Sequence, residues 1–179
     1  MHEIIVIMAD QDKNKEIDYK KFFDPKQYNT VIVKKDGQTE FNDDKITNLV
    51  NLLTDPANKE YRRDVLSALR ENQQNAVPIL IEAIRINKSR ENSHMLVAAC
   101  WEAELNFSNH LPFFTQLAIE EPYLLALEAI TVIENMSGPF NKQEVSESIK
   151  KLEGYLVNGD QQKGPLLNEL LITLQSLSF

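Results

Sequence analysis

Between residues 61 and 136 the apolar positions fall into one pattern that appears three times. Val65-Leu66-Ser67-Ala68-Leu69 is followed 31 positions on by Leu96-Val97-Ala98-Ala99-Cys100, and 30 further on by Ala126-Leu127-Glu128-Ala129-Ile130. Each copy sets a small residue, Ala68, Ala99 or Ala129, at the same register, where a neighbouring helix can approach closely. Helical spacing repeated with a period near 30 predicts stacked helix pairs rather than a globule with one centre.

The polar punctuation repeats as well. Asn75-Ala76-Val77-Pro78 and Asn109-His110-Leu111-Pro112 lie 34 residues apart. Each reads as an Asn cap with a proline in the first turn, where the missing N–H has no intrahelical partner. Asp43 or Asp44 is the expected cap of a first helix, Lys45 to Leu53, and Asp55-Pro56 turns the chain into its partner, about 59–72. Ser89 starts the second partner helix, Pro122 takes the first position of the third, and Gly138-Pro139 ends it. Asn141 with Glu144 resembles a capping box before a helix with Val145, Ile149, Leu152 and Leu156 on one face. Gly164-Pro165 opens a last helix striped by Leu167, Leu170, Leu171, Leu174 and Leu177. The expectation is four helix pairs, at 45–72, 75–105, 109–137 and 141–178.

Residues 1–44 follow another rule. Ile4 to Met8 and Thr30 to Lys34 are β-branched runs, Asp36-Gly37 is a turn, and Gln38 to Phe41 is a return strand. A short helical turn is expected between Asp18 and Tyr28. The domain reading is therefore a small β-containing N-terminal segment, 1–44, packed on a helical repeat domain, 45–179.

Leu52-Leu53-Thr54-Asp55-Pro56 followed by Arg62-Arg63-Asp64-Val65-Leu66-Ser67-Ala68-Leu69 resembles a HEAT repeat, with Leu111-Pro112 and Leu127-Glu128-Ala129-Ile130 as another. The resemblance covers about 45–178; only the first unit has both the Asp-Pro turn and the Arg. It implies a mainly α fold, a right-handed α-α superhelix of about four HEAT-like pairs. It also implies a scaffold or binding role and carries no catalytic residues over.

In such a stack the second helix of each pair lines the concave face. At about 100° per residue, Val65, Ala68, Leu69 and Asn72 point inward, and Arg63, Ser67, Arg70 and Gln74 form the opposite stripe. Carried through the register, that stripe becomes His94, Ala98, Trp101 and Leu105, then Leu124, Glu128, Thr131 and Asn135. The partner-binding set expected on it is Arg63, Arg70, His94, Trp101, Leu105, Glu128, Thr131 and Asn135. Trp101 would supply apolar area, the arginines would meet acidic groups, and Glu128 a basic one.

The net charge of -8 disfavours an unaided grip on nucleic acid or an anionic membrane. It is unevenly spread: 59–90 holds seven basic and four acidic residues, whereas 91–141 holds seven acids and no Lys or Arg. One cysteine, Cys100, excludes an internal disulfide framework and fits a reducing compartment. Met1 to Met8 lacks the basic region and apolar length of a signal peptide, and no run spans a bilayer, so a cytoplasmic protein is expected. Sequons at Asn87, Asn106 and Asn135 read as chance in that setting.

Enzymatic chemistry finds little purchase. His2, His94 and His110 have no ligand spacing, and Cys100 sits six residues from His94, about 240° away around one helix. Asp10 to Asp18 has the oxygen spacing of a calcium loop, but Lys15 replaces its glycine and Lys21 its bidentate Glu. No metal, cofactor or phosphate loop is expected. The leading expectation is a scaffold that binds a peptide or protein segment on the concave face without catalysis. The alternatives are a helical-repeat enzyme of DNA-base or pigment-attaching type, or a homodimer made through the N-terminal strands.

Overall fold

Among the described residues, eight α-helices follow a two-stranded hairpin. The computed structural model describes residues 33–35, 38–40, 43–87, 89–158 and 162–177, all within one unit, Val33–Phe179. Strands β1 (Val33–Lys35) and β2 (Gln38–Glu40) pair antiparallel, Lys35 opposite Gln38. The strand expected at Ile4 to Met8, the helical turn before Tyr28 and the rejected calcium loop lie outside the described residues.

Helix α1 (Asp43–Leu53) buries Ile46, Leu49, Val50 and Leu53, one stripe at helical spacing. A 3-10 segment, Pro56–Tyr61, leads into α2 (Arg62–Glu71), and α3 (Gln73–Ile86) follows after Asn72 alone. Then come α4 (Arg90–Glu102), α5 (Leu111–Glu120), α6 (Tyr123–Glu134), α7 (Lys142–Asn158) and α8 (Gly164–Ser176).

Two expected caps are displaced. Asn72 O accepts from both Asn75 N (3.0 Å) and Ala76 N (2.9 Å), so α3 starts before Asn75 and Pro78 lies inside it. The next turn is a 3-10 segment, Ser108–His110, which makes His110 rather than Asn109 the cap of α5. Pro122 also stands one place earlier than expected, at the cap of α6. Ser89 Oγ accepts from Asn92 N, and Asn141 Oδ1 accepts from Gln143 N and Glu144 N, as their sequence positions predict.

The helices pack in consecutive pairs, α1 on α2, α3 on α4, α5 on α6 and α7 on α8. Odd helices also meet odd ones, α1 with α3 and α5 with α7, while α4 meets α6 and α6 meets α8. The interior between them is apolar, with Phe107 and Phe114 fully buried and their rings edge to face at 5.2 Å.

Among the described residues, one charged side chain is buried. Lys163, only 5% exposed, donates from Nζ to Ile119 O (2.6 Å), Glu121 O (2.7 Å) and Ala118 O (3.3 Å). These are the last carbonyls of α5, which has no basic residue in its own final turn. The ammonium both satisfies those acceptors and opposes the negative end of the helix dipole. No helix among the described residues is long and apolar enough to cross a membrane.

Candidate functional site

The segments just beyond the C-termini of the second helices, α2, α4 and α6, are joined by side chains, the first of them from Gln73 at the start of α3. Gln73 Oε1 accepts from Asn106 N (3.1 Å), 33 residues on. Asn106 Nδ2 donates to Ser137 O (2.9 Å), 31 residues further, and Ser137 N donates back to Asn106 Oδ1 (3.3 Å). The turns that follow successive second helices are thus linked, at separations of 33 and 31 residues against 31 and 30 for the alanines. Ala99 and Ala129 are fully buried, as close approach requires. Ala68 is half-buried.

From α2, two arginines reach to α4. Arg62 Nε lies 2.9 Å from Glu102 Oε2 and its Nη2 donates to Met95 O (3.4 Å). Arg70 Nε donates to Ala103 O (3.1 Å) and its Nη2 lies 2.9 Å from Glu104 Oε1. Glu104 has φ 55°. Glu104 N donates to Trp101 O and Leu105 N to Cys100 O, the paired bonds of a Schellman turn, in which the left-handed position usually belongs to Gly. The same turn draws Leu105 inward to 3% exposure.

Between α4 and α6 the hub is Glu128. Its Oε2 accepts from Trp101 Nε1 (2.6 Å) and its Oε1 lies 3.2 Å from His94 Nε2. Three residues expected on one stripe are therefore in direct contact. Thr131 Oγ1 donates to Leu127 O and Asn135 Nδ2 to Thr131 O.

The predicted set divides accordingly. Arg63, Arg70 and Asn135 are exposed, and His94, Trp101, Glu128 and Thr131 are half-buried. Leu105 is the exception: as part of the core it offers no surface to a partner. Arg70 and Glu128, expected to meet charges on a partner, are engaged by the protein itself. The largest apolar exposure on these helices is on α6, Leu124 at 65%, Tyr123 at 49% and Leu127 at 39%. Arg62, Glu102, Glu104 and Asn106 escaped sequence reasoning, since each acts through a partner more than 30 residues away. Asn106 was visible only as a sequon, and its side chain is spent on Ser108 and Ser137.

Two titratable groups, Cys100 and His110, depart from their ordinary values. Cys100 is fully buried, its Sγ bonded to Leu96 O at 3.4 Å, and burial pushes its thiol far above the ordinary range. Burial and the Arg85 charge lower His110 below the usual imidazole value, against a raising influence from Glu144. Among the described residues no three His, Cys, Asp or Glu side chains converge to hold a metal. The chain matches no protein-family model, no curated protein and no solved structure.

Proposed function

We propose that this chain is a short HEAT-like α-solenoid, a right-handed superhelix of four helix pairs, that binds a peptide or protein segment along its second helices. It acts by binding and not by catalysis. The observation that carries this reading is the Gln73–Asn106–Ser137 chain of bonds, at separations of 33 and 31 residues. Units related by a similar step stack into an extended surface, and repeat proteins use such surfaces for recognition. Leu124 and Leu127 beside the half-buried Trp101 supply exposed apolar area on it.

The test begins with affinity capture from the source cell to obtain a ligand, which is then titrated in purified form. A Leu124→Ser/Leu127→Ser variant should weaken binding at least about tenfold, or about 1.4 kcal/mol. Ile86→Ser, at an equally exposed position on α3, should leave it unchanged. A ligand indifferent to the α6 variant, or lost only with Ile86→Ser, would overturn the proposal.

A further inference from the structure

We infer that the occupant of the α4–α6 face is a cationic amphipathic segment, apolar residues flanked by Lys or Arg; this rests on the reading of that face as a docking surface. Two kinds of observation converge on it. The first is apolar. Leu124 stands one turn before Glu128, on the same side of α6, and is 65% exposed, with Leu127 at 39% beside it. Trp101 and His94 of α4 are bound to that same Glu128 carboxylate. The exposed leucines and the half-buried indole are therefore parts of one continuous patch.

The second is electrostatic. From Glu91 to Asn141 the chain holds seven acids and no Lys or Arg; Arg62 and Arg70 pair with Glu102 and Glu104, and the acid left over favours positive ligands. Helices α4, α5 and α6 also end on Glu102, Glu120 and Glu134 with no base in their last turns, adding acid to the negative pole of each dipole. The protein answers two of these ends with its own cations. Arg62 and Arg70 reach α4, and Lys163 reaches α5. At the end of α6, the donors found among the described residues are neutral: the Asn135 side-chain amide on Thr131 O, the Asn135 N–H on Thr131 O and Val132 O, and the Met136 N–H on Ile133 O. A partner cation beside Glu134, with apolar side chains over Leu124 and Leu127, would complete the pattern from outside.

Trp101 is the sole tryptophan, so its emission reports on the patch directly. The probes are two synthetic helical peptides with identical leucines, one carrying Lys and the other Glu at the remaining positions. The Lys peptide should shift Trp101 emission and bind at least about tenfold more tightly than the Glu peptide, with an advantage that shrinks as salt rises. Glu134→Gln should weaken the Lys peptide, while Glu153→Gln on α7, also exposed, should not. Leu124→Ser/Leu127→Ser should weaken it further. Tighter binding of the Glu peptide, abolished by the leucine variant, would overturn the cationic partner and leave the docking face standing. Binding of both peptides that ignores the leucine variant would overturn the face itself. No emission change with either peptide up to about 1 mM would overturn the inference as stated.

Discussion

The α4–α6 and α2–α4 junctions lie in the same row of helices and are built from different material. Between α4 and α6, buried Ala99 and Ala129 let the helices pack directly, and one carboxylate ties the pair through Trp101 and His94. Between α2 and α4, two long arginines bridge the gap to Glu102, Glu104 and backbone carbonyls. Small residues make contact by removing volume, whereas arginines make it by spanning distance. The first kind of junction is stiff and intolerant of added atoms. The second trades tight packing for charge-assisted bonds that water partly screens.

That contrast predicts how each junction breaks. The largest effect belongs to added bulk. Ala99→Leu or Ala129→Leu should lower unfolding free energy by about 3 kcal/mol, and half-buried Ala68→Leu by less than about 1, in denaturant titration. Equal losses at all three sites would erase the distinction. Next comes the polar tie. Trp101→Phe keeps most of the ring but removes the donor to Glu128, and should cost about 2 kcal/mol. Arg62→Met should cost only about 1 kcal/mol, because its pair with Glu102 stands about a quarter exposed. The reverse order would make the arginine bridge the stronger link.

A smaller effect, of opposite sign, is expected at Glu104. Glycine there removes the strain of a left-handed residue and loses only the exposed pair with Arg70. Glu104→Gly should therefore raise stability by about 0.5 kcal/mol, seen as a slightly higher Tm. A fall in Tm would show that the Arg70 bridge outweighs the strain.

The mildest effect is an acid dependence that belongs to neither junction. His110, near Arg85 of α3 and Glu144 of α7, is lowered from 6.5 in the folded protein. The unfolded chain thus takes up a proton first as pH falls. The contribution of His110 is complete above its ordinary value and is lost as pH drops toward its lowered one. His110→Gln should flatten the stability profile over that window. An unchanged slope would assign the acid sensitivity elsewhere.

Much of the helical organisation was legible because it depends on neighbours within one turn. The apolar stripe of α1, the Ser89 and Asn141 caps and the four pairs all appear where periodicity and capping chemistry place them. Misplaced starts, such as α3 before Asn75 and α5 after His110, arose where the connection itself was helical. A 3-10 turn or a one-residue link has no distinct sequence pattern to announce it. On the candidate face, the angular projection brought His94, Trp101 and Glu128 together correctly. It failed for Leu105, since a projection assumes that the helix continues, and α4 stops at Glu102 in a turn that folds Leu105 inward.

The order of apolar and polar residues alone determined that the region beyond residue 43 forms helices, where most of them lie, and that small residues recur at a fixed step. Those are consequences of short-range geometry, in which each residue meets others three or four places away. Which charge meets which was decided only by the packed chain. Arg62 finds Glu102, Trp101 finds Glu128, and Lys163 reaches back to the end of α5. Each partner lies 27 to 44 residues distant in sequence, and only the relative placement of whole helices brings such atoms within bonding range.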